Sequence, residues 1–255
     1  MKIACVYSKY IAKAKDFYDI LAKKYPLVSI SDADVIICLG GDGFMLSCLH
    51  EFFNIGKPLY GINCGTIGFL LNERQDSIDI IGAVSHAVKF NIHPLVANFT
   101  TATEENIKTI AFNEISLLRK KPRSAHLSID IDNENRIEQL IGDGILIATP
   151  VGSTAYNYSC GGNVLSTNSN LLALTPINPF NPLRWKGTTL KDDSIIDIKN
   201  TEENRPINMS ADFQEFEEIK HISIKLCKEK HITLLFDRHR DLESKIIKQQ
   251  FHQQQ

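Results

Sequence analysis

Asp34–Leu49 reads Asp-Val-Ile-Ile-Cys-Leu-Gly-Gly-Asp-Gly-Phe-Met-Leu-Ser-Cys-Leu. Val35–Leu39 is a short, continuous apolar run closed by glycines, the pattern of a parallel strand covered on both faces. It runs into Gly40-Gly41-Asp42-Gly43, and the apolar Phe44-Met45-Leu46 then begins a helix. Glycines let the backbone turn sharply and approach a ligand, and the N–H groups that open the next helix attract phosphate. Asp42 is the one side chain of the loop equipped for chemistry. At the carboxyl end of a strand it is placed to accept a proton or hold a cation. The same four residues also suit a plain strand-to-helix turn with Asp42 as a cap.

Outward from this loop, the rhythm on the N-terminal side is strand Ile3–Tyr7, then a helix with Tyr10, Ala14, Phe17, Tyr18 and Leu21 on one face. On the C-terminal side a helix reaches about Phe53, Pro58–Asn63 reads as a third strand, and Cys64–Leu70 is a second glycine-rich turn. Asp76–Phe90 has helical spacing through Ile80, Ile81, Val84 and Val88. This alternation predicts a parallel sheet with helices on both faces.

The pattern changes near His93-Pro94. Ile107–Leu118, Leu127–Ile131, Ser194–Ile198 and His221–Cys227 are short β-like runs, and Asp132–Asn135 is a hairpin-like turn. They predict an antiparallel β-sandwich over residues 95–230. His231–Phe236 and an amphipathic stretch, Leu242–Phe251, suit a return to the first domain, which would comprise 1–94 and about 231–255. The fold class expected is therefore α/β plus all-β.

Two constellations stand out in the second part. Asn113-Glu114, inside an apolar run, can grip ribose hydroxyls or a base edge, or can mark a bulge or a solvent-facing edge. In Gly142–Tyr156 an apolar strand enters a Pro/Gly turn followed by small hydroxyl residues and Tyr156, which can offer a flat face to a base.

Composition restricts the classes. The 255 residues are 43% hydrophobic and 23% charged with a net charge of −2, an ordinary globular balance with no electrostatic case for nucleic acid or an anionic membrane. Six cysteines lack any C-x-x-C pair and look like reduced core residues, and no run reaches the ~18 apolar residues of a membrane span. A soluble, cytoplasmic protein is expected. No Walker A loop and no G-x-G-x-x-G after the first strand occur. Histidine and acidic spacing predicts no protein-built metal site. Arg119–Arg123 reads as a solvated basic loop, with contact to nucleotide phosphate across a subunit boundary the lesser alternative.

Taken in order, Gly-Gly-Asp-Gly (40–43), Phe-Asn-Glu (112–114) and Asp-Gly-x5-Pro-x-Gly-Ser-Thr-Ala-Tyr (143–156) resemble the NAD kinase family. Gly61-Ile62-Asn63 with Gly68-Phe69-Leu70, and Leu174–Ile177, extend the resemblance to about Ile3–Phe236. It implies a Rossmann-like N-terminal domain, a C-terminal β-sandwich and a last segment crossing back. The reaction implied is transfer of the γ-phosphoryl group of ATP to the 2′-hydroxyl of the adenosine ribose of NAD, giving NADP, with Mg²⁺ or another divalent cation accompanying ATP. By matching position Asp42 would be the catalytic base, with Gly40, Gly41 and Gly43 as the phosphate loop. Asp42, Gly43, Asn113, Glu114, His126, Asp143, Thr154, Ala155, Tyr156, Asn157, Tyr158, Ser159 and Gln214 would hold NAD. In the family a neighbouring subunit completes the NAD site, so a homo-oligomer, dimer or tetramer, is implied. Phe44 stands where the family has Thr, Asn163 where it has Pro, and Asn178–Lys186 is unlike the family segment. The alternatives are a lipid kinase that shares the first loop and a non-catalytic dinucleotide sensor.

Overall fold

A computed structural model describes residues 1–66, 68–75, 79–103 and 106–238. Residues 67 and 76–78 and the expected helix Leu242–Phe251 lie outside the described residues. In chain order the elements are β1 (Ile3–Tyr7), α1 (Ala12–Lys24), β2 (Val35–Gly40), α2 (Asp42–Phe52), β3 (Leu59–Asn63), β4 (Asn72–Glu73), α3 (Ile80–His86) and β5 (Val88–Ile92). There follow β6 (Leu95–Thr101), β7 (Ile107–Ala111), β8 (Glu114–Arg119), β9 (Ala125–Ile131), β10 (Glu134–Gly142) and β11 (Gly144–Ala148). After a 3₁₀ turn at Gly152–Thr154 come α4 (Tyr156–Ser159), β12 (Leu171–Ile177), β13 (Thr188–Lys191), β14 (Ile196–Asn200), β15 (Ile207–Ala211), β16 (Gln214–Phe216), β17 (Ile219–Leu226) and β18 (Ile232–Phe236). Among the described residues two compact units result: Met1–Ile92 with the segment that begins at Lys230, and His93–Glu229.

In the first unit β2 is buried at every residue, and its alternate side chains serve opposite faces. Val35, Ile37 and Leu39 share a core with Ala14, Phe17 and Leu21 of α1 and Ile80 of α3, whereas Cys38 meets Cys48 of α2. Helices therefore cover both faces of the sheet. Its order is β1-β2-β3-β18-β5, with β4 beside β3. Pairing is parallel from β1 to β18 and antiparallel between β18 and β5. Here the sequence expectation needs correction: the helix expected over Asp76–Phe90 is confined to Ile80–His86, and Val88–Phe90 belong to an edge strand. A hydrogen-bonding partner in β18, far along the chain, decides between helix and strand there. Asn72, 1% exposed, ties this part together. Its Nδ2 donates to the carbonyls of Gly61 (3.0 Å) and Leu235 (2.9 Å), and its Oδ1 accepts from the Asp237 amide (2.9 Å).

The second unit is a sandwich of two six-stranded antiparallel sheets, β10-β9-β14-β17-β6-β7 and β13-β12-β11-β8-β15-β16. One core holds inward residues of both, among them Leu127, Ile129, Ile196 and Ile222 from the first and Ile115, Leu117, Ile145 and Met209 from the second. Each such Leu or Ile, when fully buried, contributes about 1.5–3 kcal/mol. The Asp132-Asn133 turn has φ of 54° and 64°, the left-handed pair of a two-residue hairpin that Asn and Asp tolerate. A second correction concerns Phe-Asn-Glu: it does not lie within one strand. The chain leaves β7 in one sheet, crosses at Phe112-Asn113 and enters β8 in the other.

Candidate active site

In the first unit β2 ends at Gly40, Gly41 caps α2, and Asp42 is its first helical residue. A Cβ on Gly40 would lie 2.5 Å from Cδ1 of Phe44, so glycine there lets the Phe44 ring fold over the loop. Gly41 and Gly43 face open space. The Gly40 carbonyl accepts from the Cys64 amide (2.7 Å), and Asn63 Oδ1 accepts from the Gly65 amide (2.9 Å), which laces the two glycine turns together. Asp42 is held by the second turn: Oδ2 accepts from the Phe69 amide at 3.0 Å and Oδ1 from the Leu70 amide at 2.8 Å. One amide per oxygen fixes the direction of the carboxylate and leaves acceptor capacity on each.

In the second unit the crossing at Phe112–Glu114 is built from three sides. Asp212, in the β15–β16 turn with φ of 53°, accepts from the amides of Phe112 (2.7 Å), Asn113 (2.9 Å) and Glu114 (3.3 Å). Its own amide donates to the Glu114 carbonyl at 3.1 Å. Thr149 donates its hydroxyl to the Phe112 carbonyl (2.6 Å) and its amide to the Asn113 carbonyl (2.9 Å). Gly152 packs so closely that a Cβ would stand 2.1 Å from the Asn113 oxygen.

Glu114 follows from this frame. Burial, and then the charge of Asp212, push its carboxyl up to about 8, while the Tyr156 amide pulls the other way. Its Oε2 is buried and has no hydrogen-bond partner among the described residues, a costly state that a ligand hydroxyl would relieve. Tyr156 and Tyr158 expose 38% and 47% of their surface, leaving both rings open to a ligand. Burial, then Cys160, Asp143 and Glu114, raise the Tyr156 phenol, which places these four groups together. Asp143 is held below the ordinary carboxylate range by Asn178 (2.8 Å) and by Arg119.

Other expected residues fall differently. Asn157 is fully buried: it donates to the carbonyls of Ser153 and Asn163 (both 3.0 Å) and accepts from the Thr175 hydroxyl (2.7 Å), so its side chain is committed to the loop. Thr154 and Ala155 form the link into α4, and Ser159 is exposed at its end. Gln214 accepts from Thr109 Oγ1 at 2.7 Å across the two sheets, two residues beyond Asp212. His126 sits on β9, in the sheet opposite Glu114, where its ring meets Gln139 and Ser124. The basic run Arg119–Arg123 is exposed throughout, as expected of a solvated segment, and its first two cations make surface ion pairs: Arg119 with Asp143, and Lys120 with Glu217 (2.8 Å) and Glu218 (3.0 Å). Sequence reading missed Asp212 and Thr149 as organisers of the site. An Asp between two β-runs was the available signal for the first.

Among the described residues no group of three or more His, Cys, Asp or Glu is arranged to hold a metal ion, and no helix is long and apolar enough to cross a membrane.

The ATP-NAD kinase N-terminal domain matches residues 10–84 and the ATP-NAD kinase C-terminal domain matches residues 112–231. The chain belongs to the NAD kinase family. An NAD kinase of Xylella fastidiosa (strain 9a5c) is 41% identical over 232 residues, 91% of this chain and 89% of the relative. One of Rickettsia bellii (strain OSU 85-389) is 40% identical over 252 residues, 98% of each. Among solved structures, yeast NADH kinase complexed with NADH aligns with a TM-score of 0.84 at 21% identity, covering 100% of this chain and 89% of that one. An NAD kinase from Archaeoglobus fulgidus in complex with ATP aligns with a TM-score of 0.75 at 24% identity, covering 97% and 99%. Both share the fold described above, and the NAD kinase domains matched by sequence carry Asp42 in the first and Glu114 in the second.

Proposed function

We propose that Asp42 is the base of a phosphoryl transfer in which the residues around Glu114 hold the acceptor. The reaction is that of the family: the γ-phosphoryl group of ATP passes to the 2′-hydroxyl of the adenosine ribose of NAD, giving NADP and ADP. The observation that carries the assignment of Asp42 is its setting. A carboxylate aimed by two amides stands at the carboxyl end of β2, beside Gly41 and Gly43, whose backbone a phosphate can approach closely.

Asp42 orients the 2′-hydroxyl and takes its proton as the oxygen attacks phosphorus. The bond from phosphorus to the bridging oxygen of ADP breaks, and the loop amides offset charge on the phosphoryl oxygens. Little covalent chemistry is asked of the protein, so positioning and charge neutralisation carry most of the rate. A divalent cation would arrive with the nucleotide, with the Asp42 carboxylate the loop's one charged oxygen donor. Mg²⁺ or another divalent ion, held by phosphates and water, would neutralise phosphate charge.

Asn113 and Glu114 bind ribose hydroxyls, with the bare Glu114 Oε2 as one acceptor. Asp143 contributes through acceptor sites that Arg119 and Asn178 leave unused, Tyr156 offers a ring face, and Gly43, Thr154, Ala155, Tyr158 and Ser159 line the dinucleotide. His126 and Gln214 are further contacts, and Asn157 supports the loop from beneath. A homo-oligomer, dimer or tetramer, in which a second copy completes the NAD site follows from the family resemblance, and a cytoplasmic location fits six free thiols. Nothing favours a lipid kinase or a sensor.

The test is product identity. Purified protein given NAD, ATP and Mg²⁺ yields a dinucleotide that an NADP-specific dehydrogenase reduces. Absence of that product from folded protein that binds NAD would overturn the assignment in favour of the sensor.

A further inference from the structure

We propose that Asp212 is the positioning residue of the dinucleotide site, fastening the backbone of Phe112–Glu114 and so aiming the Asn113 and Glu114 side chains. The proposal rests on the reading of Asn113 and Glu114 as dinucleotide-binding and deepens it. Neither Asp212 nor its turn is among the residues assigned to NAD above.

Three observations carry it. First, one carboxylate takes three consecutive amides, at 2.7, 2.9 and 3.3 Å, at the point where the chain changes sheets. Neither ladder supplies partners for amides at a crossing, and an ionised acceptor makes the stronger bonds. Second, the turn reciprocates: the Asp212 amide returns a bond to the Glu114 carbonyl at 3.1 Å, and Asp212 adopts a left-handed φ of 53° that few residues tolerate. The turn and the crossing are therefore hydrogen-bonded in both directions. Third, Glu114 ends in a buried oxygen with no partner among the described residues, so what Asp212 aims is an acceptor awaiting a ligand.

The charge of Asp212 adds a second effect. It stands beside Glu114 and, with burial, raises that carboxyl to about 8. The other titratable groups facing Glu114 are Tyr156 and Cys160 on α4 and the residue after it, with Asp143 near Tyr156 and itself paired to Arg119. Glu114 is thus mostly protonated near pH 7 in the free protein. A ribose diol, donating two hydroxyls, favours the ionised form, so binding expels a proton.

The experiment is steady-state kinetics of wild type, Asp212→Asn and Glu114→Gln from pH 6 to pH 9.5 at saturating ATP and Mg²⁺, with hydrogen exchange on the wild type. In the wild type KM for NAD falls as pH rises and levels near 8. In Asp212→Asn that break moves to lower pH, because a like charge is gone. At pH 9, above the break in both proteins, KM for NAD in Asp212→Asn is at least about tenfold higher, with kcat changed far less. A merely structural role would lower the melting temperature and the active fraction while leaving KM and the pH break in place, and that result overturns the proposal. If the variant does not fold, the wild type decides: slow exchange of the 112–114 amides without NAD supports a preformed clamp, and fast exchange that slows only with NAD refutes it. An unchanged NAD KM in Glu114→Gln overturns the binding reading and this proposal together. A raised KM there, with Asp212→Asn like wild type, overturns this proposal alone.

Discussion

Gly152→Ala tests the frame of the acceptor site most sharply. The added Cβ would stand 2.1 Å from the Asn113 oxygen, 2.3 Å from its carbonyl carbon and 2.5 Å from its Cα. Ordinary contact begins near 3.4 Å, so the backbone must yield by about 1.3 Å. These three nearest atoms are all main chain, which cannot rotate away as a side chain can. Overpacking of this kind costs about 1–3 kcal/mol. The Thr149-to-Asn113 and Asn113-to-Asp212 hydrogen bonds, both 2.9 Å, are placed at risk at about 1 kcal/mol each. With both bonds lost, a total of about 3–5 kcal/mol is expected, which lowers the melting temperature by roughly 2–4 °C per kcal/mol. A shift of about an ångström at Asn113 is also expected to raise KM for NAD by about 10- to 100-fold while KM for ATP moves little. Gly43→Ala is the control: nothing lies within 4 Å of its Cβ, so the fold is unaffected even if phosphate contact suffers. Thermal melting and initial rates with varied NAD read both effects. A Gly152→Ala protein with wild-type melting and wild-type KM for NAD would refute the reasoning.

Two further outcomes follow from buried polar groups. Asn157→Ala orphans two carbonyls and the Thr175 hydroxyl, and is expected to cost about 2–4 kcal/mol. Adding Thr175→Val removes one orphan, so chemical denaturation should show the double variant no less stable than the single. Glu114 gives a pH signature in the ligand-free protein. Its folded pKa, about 8, lies above the unfolded value near 4.5, so between these values the folded state binds the extra proton and stability falls as pH rises, by at most about 1.4 kcal/mol per pH unit, levelling above 8. Glu114→Gln should flatten that decline relative to wild type in denaturant titrations, and parallel curves would remove Glu114 as its source.

Much of the parallel core could be read from sequence because β1, β2 and β3 are decided locally: Val35–Leu39 has no polar alternative, and glycines end it. Val88–Ile92 shows the opposite case. Its spacing after Val84 continues a helix, yet it pairs with Ile232–Phe236, a partner that local periodicity cannot reveal. The site divides in the same way. Gly40–Gly43 declares itself because the turn and its chemistry share four residues. The crossing at Asn113-Glu114 looked like one strand since Ile107–Leu118 is apolar over most of its length. What breaks it is Asp212, about a hundred residues on. The exposure of Arg119 and Lys120 is legible locally, but their partner acids, Asp143, Glu217 and Glu218, come from later connections between strands that local sequence does not reveal.

Asp42→Asn is the most direct test of the central claim. Asparagine keeps the size of the side chain and one carbonyl oxygen for the Phe69 or Leu70 amide, but cannot take a proton from a ribose hydroxyl. We expect single-turnover formation of NADP from NAD, ATP and Mg²⁺ to slow by about 10²- to 10⁴-fold, the usual worth of a general base, with NAD affinity within a few-fold of wild type. Turnover close to wild type in a variant that binds NAD normally would contradict the assignment of Asp42 as the base.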